Sequence, residues 1–103
     1  MNAAQEELRR LSKAAFNQTY RLEVMLAIAD SDGIVTQRDV ARSIDQPQSN
    51  VQLAFRSLID CGLLVELPRA DSRSRHLMRV DSPAWDWAGE LRAKIELNSE
   101  ASR

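Results

Sequence analysis

Apolar positions follow a regular rhythm from the start of the chain. Ala4, Leu8, Leu11 and Ala15 are spaced four, three and four residues apart, with Glu6, Arg9, Arg10 and Lys13 elsewhere. That is a stripe along one face of a helix over residues 3–18, uninterrupted by Gly or Pro. Over 20–30, Leu22, Met25, Leu26, Ile28 and Ala29 leave little polar surface, as in a central helix buried nearly all round. Asp30-Ser31-Asp32-Gly33 stops it with turn formers. Ile34-Val35 is a short extended pair, after which Thr36 caps a helix carrying Val40, Ala41 and Ile44, with Asp39 placed to reach back to the Thr36 amide. Pro47 then breaks the chain, since the residue before a proline avoids helix. Ser49 is placed to cap a helix with Val51, Ala54, Phe55 and Leu58 on one face and Gly62 just past its end. Leu63 to Leu67 reads as a strand, residues 68–75 as a polar loop, and Leu77, Met78 and Val80 as the return strand of a hairpin with a long basic tip. Ser82-Pro83 opens a last helix, whose stripe of Ala84, Ala88, Leu91 and Ile95 repeats that of the first. Asn98 to Arg103 reads as a frayed tail.

The predicted fold is mainly α with a small β-hairpin. A chain of 103 residues is the size of one domain. Residues of about 20–81 form its core, and the helices of about 3–18 and 83–98 flank it.

Charge adds detail that the total conceals. Lys and Arg number 14 against 15 Asp and Glu, so the net charge is −1. Yet residues 69–79 hold Arg69, Arg73, Arg75 and Arg79 against Asp71 alone, while residues 20–47 sum to −2. Basic charge is gathered at the hairpin tip.

Catalytic chemistry finds little support. His76 is the one histidine, and Cys61, the one cysteine, is far from it in sequence. A lone thiol before Gly62 reads as a small packed side chain, and it excludes an internal disulfide or a multi-cysteine zinc site. The three glycines are isolated, so no phosphate-cradling loop exists. No carboxylates share a helix face with His at metal spacing. The expectation is a protein with no catalytic residue, no metal and no cofactor. The longest apolar run is a few residues, and the N-terminus is acidic where a signal peptide would be basic. A cytoplasmic protein without a membrane partner is expected.

Two short helices joined by a tight turn make a helix-turn-helix, whose second helix enters the DNA major groove. With Val51, Ala54 and Leu58 facing the core, Ser49, Asn50, Leu53 and Arg56 turn outward. Asn and Gln can pair two-pronged with adenine, and Arg with guanine or phosphate. The same polar start would also serve capping alone.

The run Thr36-Gln37-Arg38-Asp39-Val40-Ala41-Arg42-Ser43-Ile44, then Ser49-Asn50-Val51, then Leu58-Ile59-Asp60-Cys61-Gly62-Leu63-Leu64 resembles winged-helix transcriptional regulators. Those regulators end the recognition helix in Leu-x-x-x-Gly-Leu before the wing. Asp71-Ser72-Arg73, followed by Arg75, resembles the Asp-x-Arg wing tip of MarR-type regulators. The resemblance implies that Asp71 orients Arg73 and that Arg73 enters the minor groove, whose narrow stretches attract arginine. It implies double-stranded DNA as partner. The residues expected at it are Thr36, Gln37, Arg38, Gln48, Ser49, Asn50, Gln52, Leu53, Arg56, Arg69, Asp71, Arg73 and Arg75.

The flanking stripes point to a homodimer built on Leu8, Leu11, Ala15, Trp85, Ala88, Leu91 and Ile95. The alternative is that the two helices pack on their own domain. Trp85 and Trp87, two residues apart, cannot share one face, so one packs inward and the other meets a partner or solvent. Nothing polar and specific marks a small-molecule effector site. The reading is a dimeric, sequence-specific DNA-binding regulator, with helix 48–61 in the major groove and wing 68–76 on the minor groove or backbone. A winged-helix protein-interaction module without DNA binding, and a centromere-type DNA-segregation protein, remain open beside it.

Overall fold

The computed structural model describes residues 3–68 and 75–101. Within them the order is α1 (Ala3–Phe16), α2 (Arg21–Ala29), β1 (Ile34–Val35), α3 (Gln37–Ser43), a 3₁₀ turn (Gln48–Asn50), α4 (Gln52–Asp60), β2 (Leu64–Glu66), β3 (Leu77–Arg79) and α5 (Pro83–Ala101). This is a winged helix-turn-helix with a helix on either side.

Helix α2 is the hub. Leu22, Val24, Met25 and Ile28 are almost wholly buried on it, so it packs against α1, α3, α4 and α5 alike. Ser12 on α1 sets how α2 begins. Its hydroxyl donates to the Gln18 carbonyl and accepts from the Leu22 amide at 3.0 Å, which satisfies a fully buried hydroxyl on both sides.

The sheet has the order β1-β3-β2 with both pairs antiparallel. A two-stranded hairpin was expected. Strand β1 adds a third member by pairing Ile34 with Met78 and Val35 with Leu77, and two residues are too few for a period to show in sequence. Val35, Leu64 and Leu77 point to the core. Ile34, Met78 and Val65, aligned across the three strands, stay exposed on the outer face.

Local chemistry sets the boundaries. Thr36 Oγ1 accepts from the Asp39 amide at 3.1 Å and caps α3. At the end of α3, Asp45 takes a left-handed φ of 55°. The Gln46 amide then reaches the Ala41 carbonyl at 2.9 Å, and the Asp45 amide reaches Arg42 at 3.1 Å. This is a Schellman closure, and α4 repeats it at Gly62, where φ is 84°. There the Leu63 amide bonds to the Leu58 carbonyl at 2.9 Å. The Leu-x-x-x-Gly-Leu pattern is therefore a helix stop. Leu58 supplies the accepting carbonyl, Gly62 the left-handed residue, and Leu63 the closing amide.

Three expectations about boundaries need correction. Helix α4 does not start at Ser49: residues 48–50 form a 3₁₀ turn, and no side chain caps either it or α4. Cys61 is exposed rather than packed, because as C-cap of α4 it has left the buried face held by Leu58. The tail does not fray at Asn98, since α5 continues to Ala101.

The flanking stripes pack within the chain. Trp85, Ala88 and Leu91 are buried within their own chain. Leu8, Leu11 and Ala15 are partly buried against the same core, and Ile95 is half-buried. The stripes of α1 and α5 are covered by α2 and by each other, because a central helix that is apolar all round has faces to spare for both flanks. Trp85 is held by its indole Nε1, which donates to the Val80 carbonyl at 2.8 Å. Trp87 turns outward, edge-on to Phe16 with ring centroids 5.0 Å apart.

Candidate nucleic-acid interface

The helix-turn-helix and the base of the wing enclose a cleft of about 740 Å³. Thr36, Gln37, Arg38, Asp39 and Arg42 line it from the β1–α3 side, Gln48 from the 3₁₀ turn, and Arg75, His76 and Leu77 from the wing. Five of the expected residues, Thr36, Gln37, Arg38, Gln48 and Arg75, thus share one surface. Each is positioned by an ordinary local device. The Thr36 cap fixes the start of α3, the Schellman turn at Asp45 swings Gln48 back toward that start, and Arg75 is ion-paired to Glu66 of β2 at 2.9 Å.

Beside the cleft runs the exposed face of the turn and α4. Ser49 and Asn50 are exposed in the 3₁₀ turn, and Gln52, Leu53 and Arg56 on α4. Asn50 Nδ2 donates to Gln46 Oε1 at 2.8 Å, so its amide is oriented before any ligand arrives. Leu53 is 63% exposed, an unusual position for a leucine that no core residue covers. Arg69, Asp71 and Arg73 lie outside the described residues.

Besides the core residue Leu77, three residues of the cleft are not among the expected contacts. Arg42 follows Arg38 by one helical turn, and that i,i+4 spacing opposite Val40 and Ala41 was the available signal. Asp39 was read only as part of a cap. In the sequence His76 reads as the possible partner of a nucleophile and not as part of a basic surface. Arg79, conversely, was counted with the wing's basic charge. Its Nη1 instead donates to the Ile28 carbonyl at 2.8 Å and the Ala29 carbonyl at 3.0 Å, closing the end of α2.

What the arrangement offers is cationic hydrogen-bond donors on a concave surface beside a polar helix face. Among the described residues no group of His, Cys, Asp and Glu is placed to hold a metal ion, and no helix is long and apolar enough to cross a membrane.

A helix-turn-helix running into an antiparallel wing, with a helix before and after, is the fold of MarR-type transcriptional regulators. The solved structures that this chain resembles include a MarR family regulator from Silicibacter pomeroyi, with a TM-score of 0.65 and 19% identity over 88% of this chain and 62% of that one. BldR, a transcriptional regulator from Sulfolobus solfataricus, gives a TM-score of 0.69 at 19% identity over 96% of this chain and 72% of its own. MepR, a transcription regulator of the Staphylococcus aureus multidrug efflux pump MepA, gives 0.64 at 18% identity over 97% and 75%. No family model and no curated protein matches the sequence, so the likeness is one of fold.

Proposed function

We propose that this chain is a sequence-specific, double-stranded-DNA-binding transcriptional regulator, not an enzyme, and that it acts in the cytoplasm as a homodimer. In this reading the segment 48–61 enters the major groove, and the wing, residues 68–76, meets the minor groove or backbone. The observation that carries the proposal is the cleft. Arg38, Arg42 and Arg75 converge on it from α3 and the wing, while Asn50, Gln52, Leu53 and Arg56 stand exposed alongside. Phosphate contacts hold a protein on DNA and base contacts choose the site, and the two sets of residues divide in that way. Leu53 fits an apolar contact to a thymine methyl.

Dimerisation draws support from what the chain leaves uncovered. Trp87 and Leu97 on α5 are 43% and 64% exposed. Both side chains are left open by the chain's own core. A twofold dimer would place two recognition segments about one DNA turn apart.

One observation favours a different partner. The overall charge of −1 and the acidic stretch 20–47 suit a protein-binding winged helix. Recovery of DNA crosslinked to the chain in its native cell separates the readings. Sharp peaks over a palindromic sequence are expected, and a profile no different from an untagged control would overturn the DNA reading. Peaks clustered in one repeated locus would redirect it to DNA segregation.

A further inference from the structure

We infer that Gln46 decides which base Asn50 reads: by taking one of the two N–H groups of the Asn50 amide, it commits that side chain to adenine and against guanine. The inference rests on the DNA-binding reading above and names a positioning residue for it, one that sorts bases without meeting them.

The geometry lies where the turn between the two helices passes into the recognition segment. Asn50 Nδ2 donates to Gln46 Oε1 at 2.8 Å. Both ends of that bond stand on fixed backbone. Before Gln46, Asp45 holds its left-handed φ of 55°, and the Gln46 backbone N–H is tied to the Ala41 carbonyl at 2.9 Å. After it, Pro47 is extended, with φ −64° and ψ 151°, and its ring locks that φ. The Asn50 backbone N–H then closes onto the Pro47 carbonyl at 3.0 Å. Gln46 is half-buried at the turn, whereas Asn50 is exposed. The first is thus the anchor and the second the reader.

The inventory of donors turns this contact into a choice. A side-chain amide has one carbonyl acceptor and two N–H donors. With one donor spent on Gln46, Asn50 presents one acceptor and one donor. Adenine offers the complement in the major groove, an N7 acceptor beside an N6 donor. Guanine offers two acceptors, N7 and O6, and asks for two donors. An Asn50 released from Gln46 has both donors to give. A donor in place of the Gln46 carbonyl would attract Asn50 Oδ1 instead and turn both N–H groups outward.

The test uses the full-length chain and a randomised duplex pool of about thirty base pairs, long enough for two half-sites. Rounds of binding to the wild-type chain enrich a site, which is then varied one base pair at a time in competition binding. The position that matters is the one at which Asn50→Ala selectively loses its preference. There wild type should favour A·T over G·C by about tenfold, within the range of one two-pronged pair. Gln46→Leu, which cannot accept, should reduce this to about twofold, while its unfolding midpoint and its affinity for random DNA stay close to wild type. Gln46→Glu still accepts from Asn50 and should keep the wild-type ratio, though its charge weakens binding to every sequence alike. Gln46→Lys, a donor only, should reverse the preference toward guanine. A ratio that survives Gln46→Leu, or a Gln46→Lys variant that keeps adenine, overturns the inference while leaving DNA binding intact. So does an equal loss in Gln46→Leu and Gln46→Glu, which would make Gln46 a support of the turn alone. If Asn50→Ala relaxes no single position, Asn50 is not the reader and the inference falls. A pool from which wild type enriches nothing overturns the DNA reading itself, and this inference with it.

Discussion

Arg79 Nη1 lies 2.8 Å from the carbonyl oxygen of Ile28, a hydrogen bond spanning 51 residues of chain. It joins the last strand of the wing to the end of the buried central helix. The Ile28 carbonyl also accepts from the Ser31 hydroxyl at 2.6 Å, so Arg79 adds a second, charged donor there and one for Ala29, and a cation meets the negative end of the helix dipole. Two further links close the same corner: Trp85 Nε1 to the Val80 carbonyl at 2.8 Å and Arg92 to Asp30 at 3.1 Å. The base of the wing, α2 and the start of α5 are therefore held as one body.

Replacing Arg79 with Met should destabilise the fold by about 1.5–3 kcal/mol, the worth of hydrogen bonds from a charged donor. Arg79→Lys should recover part of the loss, because an ammonium also donates to more than one carbonyl but sits on a shorter stem than Nη1. Urea unfolding curves measure both. A loss within experimental error for Arg79→Met would show that water serves these carbonyls equally well.

Gly62 isolates the cost of backbone conformation. Its φ is 84°, and a Cβ placed on it would meet nothing within 4 Å. Gly62→Ala should cost about 1–3 kcal/mol through the left-handed conformation alone, with no packing contribution. Thermal unfolding should show a lowered midpoint while residues 48–60 keep their structure by NMR.

Much of this architecture was legible in the sequence, because its boundaries rest on local chemistry. The Thr36 cap, the Ser82-Pro83 start of α5 and the Gly62 stop each lie within a few residues of what they control. What escaped was long-range. A stripe such as Leu8/Leu11/Ala15 states that a face is covered and is silent about what covers it. Such a stripe suits a second chain or its own domain equally, and here α2 packs against it. Arg79 reads as one more basic wing residue until Ile28 is seen beside it. The cleft was half legible: Arg38 and Gln48 stood out by type, but the approach of His76 depends on how the wing folds back.

The ion pair between Arg9 and Glu23 is another relationship no pattern could show. Arg9 Nε lies 2.8 Å from Glu23 Oε1, and both side chains are buried. The Arg9 guanidinium also sits 5.1 Å from the centroid of the Tyr20 ring. Glu23→Gln removes the carboxylate charge that Arg9 Nε meets in the interior and should cost about 3–5 kcal/mol. Arg9→Met combined with Glu23→Leu should cost far less, since both charges leave together. Chemical denaturation of the single and double variants forms the test. Equal losses in the two would mean that packing around α1, and not charge, sets the cost.

In the proposed DNA reading, Asn50 contributes to sequence choice. Its amide is held by Gln46 at 2.8 Å in an exposed turn, ready to pair two-pronged with an adenine. Asn50→Ala should cost about 1–3 kcal/mol at one base pair, and on random DNA almost nothing. Competition binding against a library of single-base variants reads this directly. Equal weakening on all sequences would assign Asn50 to the backbone or to the turn alone.

The last prediction separates the two faces of α5. Leu91 belongs to the intramolecular core at 7% exposure, whereas Leu97 is 64% exposed. A core leucine changed to Asp buries an unpaired charge, so Leu91→Asp should unfold the chain. Leu97→Asp removes nothing from the monomer's interior and should leave its unfolding midpoint almost unchanged. In a twofold dimer, however, the substitution acts on both copies. Burying one leucine is worth about 1.5–3 kcal/mol, so the pair supplies roughly 3–6 kcal/mol. Association costs an estimated 4–15 kcal/mol in lost freedom and ordering, and forfeiting the two leucines should be enough to shift the balance. Sedimentation at about tens of micromolar, where association in the micromolar range is visible, should show a dimer for wild type and a folded monomer for Leu97→Asp. DNA affinity should fall with it, because two half-sites bound by separate chains lose the benefit of linkage. If wild type itself sediments as a monomer, the outer face of α5 has no second copy to meet. The cleft would then have to hold DNA through a single site.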